Sequence, residues 1–327
     1  MSNTFPRLLA DVGGTNVRFA LETAPQRIGA VTAMKVAEHP SLEAAMRGYL
    51  DGLEGTRPLH AAVGLANPVT GDHVKLTNHD WAFSIDGMRQ SLGLRTLVAV
   101  NDFTSLALAL PHLPADALAQ VRGGDVVADA PRALVGPGTG LGVSGLVPAP
   151  GGGFVALAGE GGHIEVMPDT DDEWVAWGAL QKQVGRVSAE RLLSGMGLSS
   201  IHAALAAEMG TLLLTALTPA QVTAGAVEHG DPLCQRAFAV FCGLLGSVAA
   251  DVALVLGARG GVYIGGGIVP RFVPALRASA FCDRFVAKGR MGAYLARVPV
   301  WVITAEFPAF PGLAQALADR LAIEGAH

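Results

Sequence analysis

The 327-residue chain has little charge, few aromatic residues and only three cysteines. Cys234, Cys242 and Cys282 are odd in number and are not grouped with histidines, so neither a disulfide framework nor a zinc site is indicated. We expect them to be small buried residues in a reducing compartment. No basic block offsets the net charge of −5, which argues against nucleic acid or an anionic membrane surface as the main partner.

Long apolar runs and targeting segments are also missing. The most apolar stretch, Phe241 to Leu256, contains Asp251 and is shorter than the ~18 residues that a membrane span needs. A secretion signal has a basic segment followed by an apolar one, and the N-terminus shows no such pattern. We therefore expect a cytoplasmic protein without a membrane partner. Since half of the residues are hydrophobic, the chain can fill one large core or two moderate ones, which favours a two-domain α/β enzyme.

Glycine is abundant, and two glycine-rich turns resemble each other. The first is Gly13-Gly14-Thr15-Asn16, and the second is Gly138-Thr139-Gly140; each lies between two apolar runs that predict strands. A turn without Cβ atoms lets backbone N–H groups converge on an anion. Each turn alone is equally typical of an ordinary hairpin. Together they predict two related half-molecules that hold one polyphosphate.

Other residues and motifs bear on the phosphate hypothesis. Asp11 ends the first strand with Asn16 and Arg18 beside it, and its carboxylate is suited to hold Mg²⁺ through water. No G-x-x-x-x-G-K-[ST] run is present. Residues 140–145 match G-x-G-x-x-G, but a turn rich in proline and glycine follows instead of a helix, which argues against a dinucleotide fold.

Apolar periodicity outlines two parts of the chain. In the first part it predicts strands at 7–12, 17–22, 60–66, 72–77 and 96–100, and helices at 41–51 and 84–91. In the second it predicts a helix at 232–256, a buried strand that runs into Gly265, Gly266 and Gly267, and a strand at 300–304. A last helix at 311–321 is expected to return to the first domain. The predicted domains are 1–112 plus about 304–327, and 113–303.

Polar residues at the end of one strand suggest a ligand site. Asn101 and Asp102 follow the apolar run 97–100 and precede a helical run, and strand ends in α/β domains face the ligand crevice. On this segment alone, a helix N-cap is the commoner use of an Asp such as Asp102.

Two further segments carry polar groups with little bulk around them. In Gly159-Glu160-Gly161-Gly162-His163, the glycines suggest close approach of a small polar ligand. Glu190 begins a helical run, where the helix dipole favours a carboxylate whatever its function. Asn101, Asp102, Glu160, His163 and Glu190 together suit the hydrogen bonding of several hydroxyl groups. Beside a phosphate cradle, such a set predicts phosphoryl transfer from a nucleotide to a sugar.

The motifs, taken in order, resemble the bacterial glucokinase family. The matching segments are 11–16, Thr77-Asn78-His79-Asp80-Trp81-Ala82-Phe83-Ser84, 101–103, 138–142, 159–163, 188–195 and 265–270. The resemblance implies the actin-like (ribonuclease H-like) fold of sugar kinases, actin and heat-shock ATPases, with two α/β domains and a substrate cleft between them. It also implies ATP-dependent phosphorylation of glucose at its 6-hydroxyl and a homodimer.

The resemblance also assigns roles to residues. It implies that Asp102 is the general base and that Asn101, Glu160, His163 and Glu190 contact the sugar. The phosphates of Mg·ATP would meet Gly13 to Asn16 and Gly138 to Gly140, and Gly265 to Gly267 would lie against the nucleoside. The cysteine-rich zinc motif of the related ROK kinases is absent from the sequence. Pro137 lacks an N–H, so one backbone contact to phosphate is expected to be missing.

Three alternatives differ in class or in substrate. A kinase for another hexose or an amino sugar would use the same contacts, because those residues recognise hydroxyl groups generally. A non-catalytic sugar sensor would not need Asp102 together with both glycine-threonine turns. An actin-like filament protein would keep the turns without Glu160, His163 and Glu190.

Overall fold

The computed structural model describes residues 4–76 and 79–325. Thr77 and Asn78, two residues of the resemblance motif, lie outside the described residues. The chain divides into two compact units. The first contains residues 1–114, 154–158 and 305–327, and the second contains residues 115–153 and 159–304.

The first unit is built on a mixed sheet. Its strands are β1 (Arg7–Val12), β2 (Asn16–Ala24), β3 (Arg27–Ile28), β4 (Thr32–Lys35), β5 (His60–Leu65), β6 (His73–Lys75), β7 (Ala82–Ser84) and β8 (Thr96–Asn101). The order is β3-β2-β1-β5-β8, β4 pairs with β2, and β6 and β7 form a separate ribbon. β1 is antiparallel to β2, whereas β1, β5 and β8 run parallel. Their carboxyl ends therefore lie at one edge, where Val12, Leu65 and Asn101 are in register.

Helices cover both faces of this sheet. They are α1 (Leu42–Asp51), α2 (Ile85–Ser91), α3 (Asp102–Ala109) and the C-terminal helix, numbered α12 in chain order (Phe310–Gly325). Because side chains alternate along β1, Leu8 and Ala10 pack in the cluster that includes α1, and Leu9 packs in the cluster that includes α12. The C-terminal helix thus completes the core of the first unit, as its apolar face predicts.

The second unit repeats this topology. Its strands are β9 (Leu118–Arg122), β10 (Arg132–Pro137), β11 (Leu141–Pro148), β13 (Val262–Ile264) and β14 (Val300–Ile303), while β12 (Phe154–Ala156) groups with the first unit. β10 is antiparallel to β11 and parallel to β13, and β13 is parallel to β14. In both units a glycine-turn hairpin is extended by two parallel strands, which confirms the expected pair of related halves.

Helices fill the rest of the second unit. They are α4 (Asp171–Val184), α5 (Ala189–Leu192), α6 (Gly195–Glu208), α7 (Pro219–Val227), α8 (Pro232–Leu256), α9 (Val273–Ala278), α10 (Phe281–Val286) and α11 (Gly292–Leu295). α6, α7 and α10 pack on α8, whose side chains, Phe241 and Leu245 among them, fill the core.

The length of α8 corrects one expectation. It spans 25 residues and, among the described residues, is the one helix long and apolar enough to cross a membrane. The argument that the apolar stretch is too short was therefore wrong. Burial is the better criterion: 67% of the most apolar 18-residue stretch lies inside the protein, as in the core helix of a globular domain.

The cysteines lie in or beside this core. All three are described as free thiols; Cys234 and Cys242 are buried and Cys282 is half-buried. Burial raises the pKa of the Cys242 thiol to about 12. Such a thiol is unreactive at neutral pH, in keeping with the expected packing role.

Candidate functional site

The first glycine turn joins β1 to β2 in the first unit. Its opening amide is used within the turn, since the Gly13 N–H donates to the Asn16 carbonyl at 3.0 Å. Gly14 and Thr15 are exposed, and their amides have no hydrogen-bond partner within the described chain. The turn therefore presents two unpaired donors, which is what an anion needs.

Asp11 lies at the base of this turn and is only half-buried. An Arg18 nitrogen is 3.3 Å from its Oδ2. Burial raises the pKa of Asp11, and the Arg18 guanidinium acts in the opposite direction. Mg²⁺ usually keeps several waters and takes one or two carboxylates plus substrate phosphates. A carboxylate beside a phosphate turn fits that pattern, and no three ligating side chains lie together among the described residues.

Asp102 and Asn101 lie where β8 ends and α3 begins. Asn101, and not Asp102, caps the helix: its Oδ1 accepts the N–H groups of Phe103 at 2.9 Å and Thr104 at 3.1 Å. The N-cap alternative for Asp102 is therefore wrong. Asp102 is the first helical residue, and its Oδ1 accepts from Asn101 Nδ2 at 3.0 Å and from the Phe103 N–H at 2.9 Å.

The electrostatics of Asp102 are those of a base poised near neutral pH. Burial raises its pKa to about 6, and the nearby negative charge of Asp11 adds to the rise. The bonds from Phe103 and Asn101 lower it without cancelling the effect. A carboxyl group of this pKa is ionised at pH 7 and still basic enough to take a proton from a substrate.

Asn67 is a neighbour of Asn101 that belongs to none of the sequence motifs. It follows β5, the strand beside β8, and its carbonyl oxygen is 3.4 Å from Asn101 Nδ2. The side-chain amide of Asn101 thus donates to Asn67 and to Asp102. The rule that strand ends carry ligand-site residues, applied to β5 as well as β8, would have found Asn67.

The second glycine turn joins β10 to β11 in the second unit. The Gly138 N–H donates to the Gly140 carbonyl at 2.8 Å, as Gly13 does in the first turn. The amides of Thr139 and Gly140 have no partner in the described part of the chain. Pro137 has no N–H to offer. The open donors of this turn are therefore Thr139 and Gly140.

The Gly265–Gly267 segment lies beside this turn. The Gly265 N–H donates to Val135 at 2.9 Å, and a Cβ built on Gly138 would be 3.9 Å from the Gly267 nitrogen. Gly266 has φ +80° and packs against Pro137, so its lack of a side chain is structural. Gly267 is exposed and has open space above it, whereas Gly265 is buried. Of the three glycines expected to admit a nucleoside, Gly267 is thus the one with room.

Glu160, His163 and Glu190 also belong to the second unit. Glu160 and His163 are exposed, and the His163 N–H donates to the Glu160 carbonyl at 3.0 Å. His163 Nδ1 is 4.0 Å from Glu190 Oε1. The unit therefore brings these three predicted sugar residues to one place.

Packing explains why glycine occupies the two positions that follow Glu160. A Cβ on Gly161 would be 2.8 Å from Val143 Cγ1, and one on Gly162 would overlap the Leu141 carbonyl. These two glycines let the segment pack against β11. Packing against β11 is a sufficient reason for this pair, and the close approach of a ligand to the segment stays a prediction.

The Glu190 carboxylate makes a contact outside its own helix, which the helix-dipole alternative does not explain. α5 is a single turn, and the Glu190 Oε2 accepts the N–H of Leu141, outside α5, at 2.9 Å. A Cβ on Gly140 would overlap this carboxylate. Glu190 therefore lies directly over the second glycine turn.

Comparison with solved structures defines the class of protein. A glucokinase from an Antarctic psychrotroph has a TM-score of 0.87 at 35% identity, over 96% of this chain and 99% of that one. A ROK family glucokinase from Streptomyces griseus, solved with glucose and AMPPNP, has a TM-score of 0.64 at 20% identity, over 96% and 100%. The fold is that of the actin-like sugar kinases, as expected.

Sequence comparison identifies the family within that class. The glucokinase family model matches residues 8–320. A glucokinase from Cupriavidus metallidurans is 76% identical over 319 residues, which is 97% of this chain and 95% of the relative. The chain belongs to the glucokinase family.

Proposed function

We propose that the protein transfers the terminal phosphoryl group of ATP to the 6-hydroxyl of glucose. Family membership supports the activity, and one observation of the site carries the mechanism: Asp102 is a half-buried, hydrogen-bonded carboxylate at a strand end, and desolvation raises its pKa to about 6. The glucokinase from Streptomyces griseus binds glucose and AMPPNP, which supports ATP as the donor.

We assign the residues as follows. Asp102 accepts the proton of the 6-hydroxyl while that oxygen forms its bond to the terminal phosphorus, and the bond from this phosphorus to the departing ADP oxygen breaks. The free amides of both glycine turns bind the phosphates. Asp11 would hold Mg²⁺ through water, and bound Mg²⁺ would supply positive charge beside the phosphate oxygens. Glu160, His163 and Glu190 pair with the sugar hydroxyls. Asn101 contacts the sugar as well, by exchanging its bond to Asn67 for one to a hydroxyl group.

This site selects its sugar by hydrogen bonding. An epimer leaves a carboxylate or an imidazole without its partner, at a cost of about 1–3 kcal/mol. We therefore expect glucose to be preferred over mannose and galactose.

We also propose that the two units are the two predicted domains and that the enzyme is a cytoplasmic homodimer. The homodimer follows from the family resemblance, whereas the domains and the location are those predicted from the sequence pattern and composition. The oligomeric state is measured by light scattering on the purified protein.

A sugar panel tests the activity. Purified protein is incubated with Mg·ATP and glucose, mannose, fructose, galactose or glucosamine, and sugar 6-phosphate is measured beside an ATP-only control. We expect rapid turnover with glucose and little ATP hydrolysis without sugar. Faster turnover with another sugar would reassign the substrate, and saturable glucose binding without transfer would favour the sensor.

A further inference from the structure

One side chain of the second unit touches both the sugar residues and the phosphate turn. The Glu190 carboxylate accepts the Leu141 N–H through Oε2, and its Oε1 is 4.0 Å from His163 Nδ1. The same carboxylate occupies the space that a side chain on Gly140 would fill. Glu190 is therefore in contact with the turn assigned to the phosphates as well as with the group assigned to the sugar.

The position of this carboxylate opposes an anion on the turn. The unpaired amides that the turn offers are those of Thr139 and Gly140, and the carboxylate lies over Gly140. The Glu190 side chain is 33% exposed, and in such surroundings two close negative charges repel more strongly than in water. A phosphate bound to the turn would meet this repulsion for as long as Glu190 stays in place.

We propose that Glu190 guards the second glycine turn and that sugar binding releases it. The proposal rests on the function proposed above. A sugar hydroxyl that donates to Glu190 gives the carboxylate a partner to replace the Leu141 N–H and draws its charge away from Gly140. Sugar then strengthens nucleotide binding within this unit, and by thermodynamic reciprocity nucleotide strengthens sugar binding.

The competing explanation predicts the opposite sign. If the bond from Leu141 to Glu190 only holds the turn in shape, removal of the side chain loosens the turn and weakens nucleotide binding. If Glu190 is a guard, its removal strengthens nucleotide binding in the absence of sugar. Glu190→Gln removes the charge and keeps an acceptor oxygen, whereas Glu190→Ala removes both.

The test is titration calorimetry with MgADP, which cannot phosphorylate glucose, with and without saturating glucose. We expect glucose to lower the Kd of the unmodified protein for MgADP by about 5–150-fold, the usual range for coupled sites. In Glu190→Gln and Glu190→Ala, we expect MgADP to bind tightly without glucose, and glucose to change the Kd little. Glu228→Gln, an equal loss of charge at the end of α7, should behave like the unmodified protein.

Several results would overturn the proposal. Weaker MgADP binding by folded Glu190→Ala without glucose would show that the contact is scaffolding. If glucose does not change the Kd of the unmodified protein for MgADP, Glu190 does not guard the turn. The sugar panel would still measure the kinase activity independently. Failure of MgADP to bind even with glucose would overturn both the guard and the proposed function. Circular dichroism of each variant confirms that it is folded.

Discussion

The partial burial of Asp102 makes its carboxylate more basic, and it also lowers the stability of the folded protein at neutral pH. Its pKa of about 6 lies above the ordinary value of 3.8, so the folded protein favours the protonated form. The stability that this form provides is complete below pH 3.8 and is lost as the pH rises through about 6. At neutral pH the ionised carboxylate therefore lowers the free energy of unfolding.

Asp102→Asn should for this reason be more stable than the unmodified protein at pH 8. The pKa is raised from 3.8 to about 6, and each unit corresponds to about 1.4 kcal/mol, so the gain in the free energy of unfolding is at most about 3 kcal/mol. The gain should vanish near pH 4, where the carboxyl group of the folded protein is protonated. Thermal midpoints at both pH values measure it. Asp129→Asn, at an exposed position, is the control and should change neither midpoint. A variant less stable than the parent at pH 8 would show that the carboxylate is not strained by burial.

Asn101 positions Asp102 through two separable contacts. Its oxygen caps α3, and its nitrogen donates to the Asp102 carboxylate. Asn101→Ala loses both, so we expect a loss of about 0.5–2 kcal/mol in the free energy of unfolding. Asn101→Asp keeps the cap, but it replaces the donor by a like charge, which raises the pKa of Asp102 further.

The pH dependence of kcat/KM for glucose separates these effects. In Asn101→Asp, the acid limb should move to higher pH than in the parent, while urea unfolding shows a smaller loss than in Asn101→Ala. An unmoved acid limb would argue that Asn101 does not tune the carboxylate.

At the scale of elements, both glycine-turn hairpins keep their shape by the same device. The first amide of each turn closes on a carbonyl inside the turn, and the following two amides stay open. The two hairpins differ in what lies next to them. The ion pair of Arg18 with Asp11 lies beside the first, and the Glu190 carboxylate lies over the second. Similar backbones therefore have different charges beside them.

The crossing of α12 over α3 depends on one glycine. A Cβ on Gly312 would overlap the Ser105 carbonyl of α3. Gly312→Ala should push the helices apart and lower the free energy of unfolding by about 1–3 kcal/mol, the usual cost of overpacking. Gly325→Ala, on the same helix with open space around it, is the matched control and should be neutral or slightly stabilising. Urea unfolding of both variants measures the difference, and equal stability would place the close approach elsewhere.

At the scale of the whole molecule, the sequence predicted regular elements better than it predicted side-chain contacts. α8 was predicted with the bounds that it has, because a helix with Pro at its start and Gly after its end is marked at both ends. Strands β1, β5 and β8 were found within a residue because buried parallel strands are unbroken apolar runs.

What the sequence could not supply were contacts between distant segments. Which of Asn101 and Asp102 caps α3 depends on their side-chain rotamers. The sequence does not determine these rotamers, because both residues are able to cap a helix. The packing of Gly161 and Gly162 on β11, and the bond from Leu141 to Glu190, join segments far apart in the chain. The roles assigned to the site residues remain predictions.

The transfer rate of Asp102→Asn with saturating glucose and Mg·ATP is the most direct test of the mechanism. If Asp102 is the general base, kcat should fall by about 10²–10⁴-fold, with a much smaller change in the Kd for glucose. In the unmodified protein, kcat/KM should rise with pH through about 6, as the carboxyl group ionises. Near-normal turnover by a folded Asp102→Asn protein would contradict the assignment and leave the proton acceptor elsewhere in the site.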